Sequence, residues 1–114
     1  MSLSKIGFFG FLFFFLFAGA AFTVHADEPE SFLLVMKDHH FVPETLTVPA
    51  NEKIKLRVQN QDPEEAEFES SDLNREKVVS GQSDIFVFVG PLVPGRYKFS
   101  DDFHASATGI LIAQ

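Results

Sequence analysis

From Lys53 to Gln59 the chain alternates without a break, with Ile54, Leu56 and Val58 on one side and Lys53, Lys55 and Arg57 on the other. A period of two is the signature of a strand with one face on a core and one in water. The stretch from Asp84 to Val89 repeats it, setting Ile85, Val87 and Val89 opposite Phe86 and Phe88. Thr45 to Val48 alternates after Pro43 and runs into the turn residues Pro49-Ala50-Asn51-Glu52, while Phe32 to Met36 is a compact apolar run. Two prolines and a glycine between Pro91 and Gly95 punctuate the chain ahead of a strand from Arg96 to Ser100, and an apolar strand from Gly109 to Ala113 closes it. No window after residue 30 carries the period of a long amphipathic helix, and Glu69 to Val79 shows the weakest pattern of all. Short alternating runs separated by turn residues predict an all-β domain, an antiparallel Greek-key β-sandwich.

The first residues have a different character. Lys5 precedes an apolar, Phe-rich run from Ile6 to Phe22, followed by Val24-His25-Ala26 and then Asp27-Glu28-Pro29-Glu30. A basic start, an apolar run and a small-x-small site predict a signal peptide over residues 1–26, and hence export to the periplasm. An uncleaved membrane anchor is the competing reading, since about 20 apolar residues can span a bilayer. The rest of the chain, residues 27–114, is one domain with room for one small core.

Cleavage would remove Lys5 and no acid, taking the net charge from −7 to −8. That surface repels nucleic acid and draws cations. The chain has no Cys, so neither a disulfide nor a thiolate metal site can form. There is no Gly-rich phosphate loop, and Ser70, Ser71, Ser80 and Ser100 have no base and orienting acid beside them in the sequence, which leaves a hydrolase without support. Paired carboxylates alone do not make a glycosidase in a domain this small with no Trp.

The order Phe41-Val42-Pro43, Leu46-Thr47-Val48-Pro49-Ala50-Asn51, Val58-Gln59-Asn60-Gln61-Asp62, Pro91-Leu92-Val93-Pro94-Gly95-Arg96-Tyr97 and Thr108-Gly109-Ile110-Leu111-Ile112 resembles that of the cupredoxins and covers nearly all of the exported part. Copper-binding members carry a ligand loop Cys-x-x-His-x-x-Met-x-Gly. In that frame Asp101 stands at the thiolate position, His104 at the histidine, Ala107 at the thioether and Gly109 at the glycine. The resemblance thus implies that blue-copper chemistry has been replaced by a carboxylate and imidazole set, suited to Cu(II), Fe(III) or Zn(II). Glu65-Ala66-Glu67-Phe68-Glu69-Ser70, Arg75-Glu76-Lys77-Val78-Val79 and Asp102-Phe103-His104 are similar to segments of small exported cupredoxin-like proteins of bacterial iron-uptake systems. That likeness implies binding of one copper(II) or iron ion per chain, assistance in Fe(II) oxidation and delivery, and a partner that is an inner-membrane iron permease or a periplasmic iron-binding protein.

The resemblance implies that the first histidine of a copper site would stand in Glu64 to Glu69, where this chain has acids; strand periodicity puts Glu67 and Glu69 on one face and Phe68 on the other, so the two carboxylates can converge beside the loop of Asp101, Asp102 and His104. Carboxylates packed around an imidazole repel one another unless a cation sits among them. Asp101 and Asp102 point to opposite faces if extended, so one of the two binds directly: position favours Asp101, the iron-uptake likeness Asp102. In Asp38-His39-His40 the two imidazoles cannot both face one ion, and His39 matches the family segment better than His40. Glu76, between Arg75 and Lys77, is either metal-facing or an exposed ion-pair residue. The candidate metal set is therefore His39, Glu67, Glu69, Glu76, Asp101, Asp102 and His104. The alternative is a sandwich without a metal site that docks on a membrane transporter through its acidic corner.

Overall fold

A computed structural model describes residues 28–114; the expected signal segment lies outside them. Nine strands fill this span: β1 (Glu30–Lys37), β2 (His40–Val42), β3 (Thr45–Val48), β4 (Ile54–Asn60), β5 (Ala66–Ser70), β6 (Arg75–Val79), β7 (Ser83–Val89), β8 (Gly95–Asp101) and β9 (His104–Ala113). They form two sheets, ordered β2-β1-β4-β7 and β3-β9-β8-β5-β6. The sandwich is the expected one, and it is mixed rather than wholly antiparallel: β1 runs parallel to β4, and β3 parallel to β9. Between the members of each parallel pair the chain crosses to the other sheet and returns.

Alternation determines which way each strand faces. Ile54, Leu56 and Val58 of β4 are fully buried, as are Leu34 of β1, Phe68 of β5 and Leu111 of β9. Three phenylalanines cross-brace the sheets. Phe41 meets Phe99 edge-on at 4.8 Å between ring centroids, and Phe68 lies 5.6 Å from Phe99, spacings at which aromatic quadrupoles attract. Gly109 is required by this packing, since a Cβ there would lie 2.4 Å from the Phe99 ring and 2.8 Å from the Glu44 carbonyl oxygen.

At one end of the sandwich the loops are held by two buried polar side chains. The Asn60 amide nitrogen donates to the carbonyl of Glu64 (2.8 Å), with the carbonyls of Val79 and Ser80 at 3.3 Å, while its oxygen accepts from the Asp62 amide at 3.0 Å. Asp62 in turn accepts from the amides of Asp38 (2.7 Å) and His39 (3.0 Å). Asp38 and His39 have φ of 53° and 60° and join Lys37 to its register partner His40. This is the tight two-residue hairpin that needs positive φ at both central residues. The carboxylate of Asp62 replaces the water that would otherwise satisfy those two amides.

Candidate metal site

Asp101 and His104 flank the turn from β8 to β9. Asp101 is 3% exposed, and its oxygens are occupied. Oδ1 accepts from the amides of Glu67 and Phe103, both at 2.9 Å, and Oδ2 lies 2.7 Å from Nδ1 of His104. The Asp102 amide donates back to the Glu67 carbonyl at 2.9 Å. The carboxylate thus ties β5 to the β8–β9 turn and orients the imidazole, the task that second-sphere acids perform for histidine ligands.

His104 is stacked on His39, ring centroids 3.9 Å apart and planes within 13°. Two parallel rings at that spacing direct their in-plane lone pairs side by side rather than onto one ion. His39 Nε2 lies 3.1 Å from Glu64 Oε1, and His39, Asp62 and Glu64 can bring ligand atoms within 4.8 Å of one another. Both Asp62 oxygens already serve the hairpin amides. Burial raises the Asp62 pKa, but the hydrogen bonds from His39 and Asp38 and the nearby imidazoles of His39 and His104 more than reverse this, leaving it below the usual value.

The second cluster is oxygen only. Glu67 of β5, Glu76 of β6 and Asp102 of the β8–β9 turn can place carboxylate oxygens within 4.8 Å of one another. The Glu67 pKa is raised, first by partial loss of hydration, then by the charge of Glu76, by Asp102 within hydrogen-bonding reach, and by Glu69. Such a group gains by taking up a cation or a proton.

The seven candidates from the sequence therefore separate into three arrangements. Glu67, Glu76 and Asp102 converge. Asp101, His104 and His39 form a row from buried acid to exposed imidazole. Glu69 shares the face of Glu67, opposite Glu76 in register, but its oxygens lie near the hydroxyls of Ser71 (3.3 Å) and Ser100 (3.4 Å). His40 opens β2, exposed. Asp62 and Glu64 were not among the candidates; the Asn60-x-Asp62 spacing, which lets one side chain cap the next amide, was the signal for Asp62.

A model of the cupredoxin-like domain matches residues 7–113. The chain belongs to the cupredoxin-like domain family. A Rickettsia prowazekii protein, "Uncharacterized protein RP394", is 44% identical over 80 residues, 69% of this chain, and the match spans 64% of that relative's length. Auracyanin A of Chloroflexus aurantiacus, a "blue" copper protein, superposes with a TM-score of 0.65 at 13% identity, over 76% of this chain and all of its own. The purple cupredoxin of Nitrosopumilus maritimus gives 0.56 at 14% identity, over 72% of this chain and 98% of its own. The metal-binding domain of the Streptococcus pneumoniae Cu(I)-exporting ATPase CopA gives 0.65 at 10% identity, over 80% and 91%.

These likenesses define the fold. The residues of this cupredoxin-like domain do not fit a type 1 copper centre, because the sequence has no Cys to supply its thiolate, and the buried acid Asp101 has both oxygens engaged by protein groups. Carboxylates and imidazoles are the metal donors that this end of the sandwich offers, and they suit harder ions.

Proposed function

We propose that this protein is an exported, periplasmic metal-binding domain that takes up and hands over a hard or borderline cation, iron or copper(II), at Glu67, Glu76 and Asp102 as part of iron uptake. The observation that carries the reading is the convergence of three carboxylates within 4.8 Å, one of them with a raised pKa to which the other two contribute. The centre of a triangle with 4.8 Å sides lies about 2.8 Å from each corner, so modest side-chain rotation brings all three to the roughly 2.0–2.6 Å of metal–oxygen bonds. An all-oxygen set favours Fe(III) over soft ions such as Cu(I). The likeness to iron-uptake proteins supplies the process, and an inner-membrane permease or a periplasmic iron carrier is the partner that would receive the ion. Because the trio stands on the outer surface of its sheet, an ion there is within reach of an incoming partner's ligands.

Calorimetric titration of the metal-stripped protein with Cu(II), chelate-buffered Fe(III) and Zn(II) tests this. One ion per chain is expected, with affinity reduced at least about ten-fold by Glu67→Gln or Asp102→Asn and little changed by Glu69→Gln. Absence of saturable binding overturns the reading and leaves the acidic corner as a docking surface for a transporter.

A further inference from the structure

A cleft of about 640 Å³ runs across the five-stranded sheet, and none of Glu67, Glu76 and Asp102 lines it. It opens where β5 and β8 part. Their pairing is limited to Phe68 with Asp101 and Glu69 with Ser100. Further along β8 the backbone of Lys98 is taken by side chains instead: its amide donates to Asp72 Oδ2 at 2.8 Å, and its carbonyl accepts from the Ser70 hydroxyl at 2.6 Å. The Leu73 amide donates to the same hydroxyl at 3.0 Å. The turn from β5 to β6 is thus fastened along β8 as one wall of a preformed cleft.

Three acids and one base line it: Glu44, Glu69, Asp72 and Lys98. None of the four forms an ion pair among the described residues. Half-buried Glu69 is poorly served, its oxygens meeting the hydroxyls of Ser71 at 3.3 Å and Ser100 at 3.4 Å, beyond the roughly 2.5–3.0 Å of a good O–H···O bond. Such a carboxylate gains by meeting a charged donor. Asp72 spends one oxygen on the Lys98 amide and has the other to offer. In the order β3-β9-β8-β5, Glu44 stands just before β3 and Glu69 on β5, three strand spacings or about 14 Å apart across the sheet. Ile110 and Thr108 of β9 lie between them.

We infer that this cleft binds a linear aliphatic polyamine. Its lining carries a formal charge of −2 from three acids and one base, which calls for a cation, and the separation of the acids calls for one charged at both ends. One ammonium group pairs with Glu69 and Asp72 and another with Glu44. The methylenes between them lie over Ile110, and the hydroxyls of Ser100 and Thr108 accept remaining N–H groups. Lys98 is exposed, and its flexible stem carries the ammonium clear. A small inorganic cation satisfies one end only, and an anion is repelled at both. The acidic chain as a whole raises the local concentration of such a ligand, but it is the two-ended spacing about an apolar middle that selects the class. The inference does not rest on the metal reading.

Amide-resolved NMR titration of the metal-stripped protein at about 0.15 M salt tests it, with spermidine and putrescine as probes and n-butylamine as the single-ended control. Saturable shifts are expected at Ser71, Lys98, Ser100 and Thr108, with a spermidine Kd of about 1 mM or tighter and n-butylamine weaker by about ten-fold or more. Glu69→Gln weakens spermidine about five-fold or more. Glu65→Gln removes the same charge from an exposed position outside the cleft and changes the affinity by less than about two-fold. Lys98→Gln removes the one base and tightens binding. Thermal melts check that each variant folds. No saturation below about 10 mM, equal affinity for n-butylamine, equal losses from Glu65→Gln and Glu69→Gln, or weakening by Lys98→Gln overturns the proposal.

Discussion

Replacing Asp101 by Ala removes the buried acid at the turn from β8 to β9, and the structure sets what this costs. Two backbone amides, of Glu67 and Phe103, lose their acceptor at 2.9 Å, and His104 loses its 2.7 Å partner. Asp101 is 3% exposed, so water reaches the amides poorly unless the corner opens. Each unsatisfied buried donor costs about 1–3 kcal/mol. The half-exposed imidazole can turn to solvent and contributes less. The sum is about 3–5 kcal/mol of lost stability, less whatever relaxation recovers. For a domain of this size about 1 kcal/mol moves the melting temperature by about 4–8 °C, so a fall of at least about 12 °C is expected. Asp101→Asn keeps an acceptor oxygen and should lose about half as much or less. Thermal unfolding followed by far-ultraviolet circular dichroism, with chelator present, measures both variants. If Asp101→Ala in metal-free protein melts within about 3 °C of the parent, the carboxylate is not a structural clamp and the corner is held by something else.

Other expectations rest on single contacts. Gly109→Ala drives a methyl against the Phe99 ring and the Glu44 carbonyl and should cost about 1–3 kcal/mol by overpacking, read from the denaturation midpoint. Glu67→Gln should raise the melting temperature of metal-free protein at pH 7. A carboxyl with a raised folded-state pKa contributes its stabilising effect when protonated and loses it as pH rises through that value, and Gln never acquires the charge. A melting temperature unchanged or lowered at pH 7 would count against repulsion within the trio. Asp62 behaves in the opposite sense. Its folded-state pKa is depressed, so its stabilisation is complete above the ordinary Asp value of about 3.9 and is lost as pH falls through the lower folded value. Asp62→Asn should flatten the acid end of the stability profile, and a profile identical to the parent's would remove Asp62 from that role.

The strands with clean alternation were legible because each buries one face in one core: Lys53 to Gln59 anticipates β4 within a residue at either end, and Asp84 to Val89 lies inside β7. The parallel pairings were not, since a half-buried strand alternates alike whichever way its neighbour runs. β6 was obscured because its exposed positions, Glu76 to Val78, mix charge with an apolar residue at the sheet edge. In the candidate site, Glu67 and Glu69 were correctly placed on one face by periodicity, but the choice between them was made by the third dimension: Glu76 and Asp102 lie beside Glu67, while serines lie beside Glu69. The His39 and His104 stack could not be read at all. It joins a hairpin tip to a turn sixty-five positions away, and it depends on the two consecutive positive-φ residues that swing His39 out of the strand.

The clamp at Asp101 also bears on how such a domain could cycle. Where a loop is closed by its metal, losing the ion loosens the loop, and every reloading must rebuild it. Here the same loop is fastened by a side chain that never leaves. If the neighbouring carboxylates take up an ion as proposed, loading and unloading there would be a surface event, with the scaffold standing still between visits.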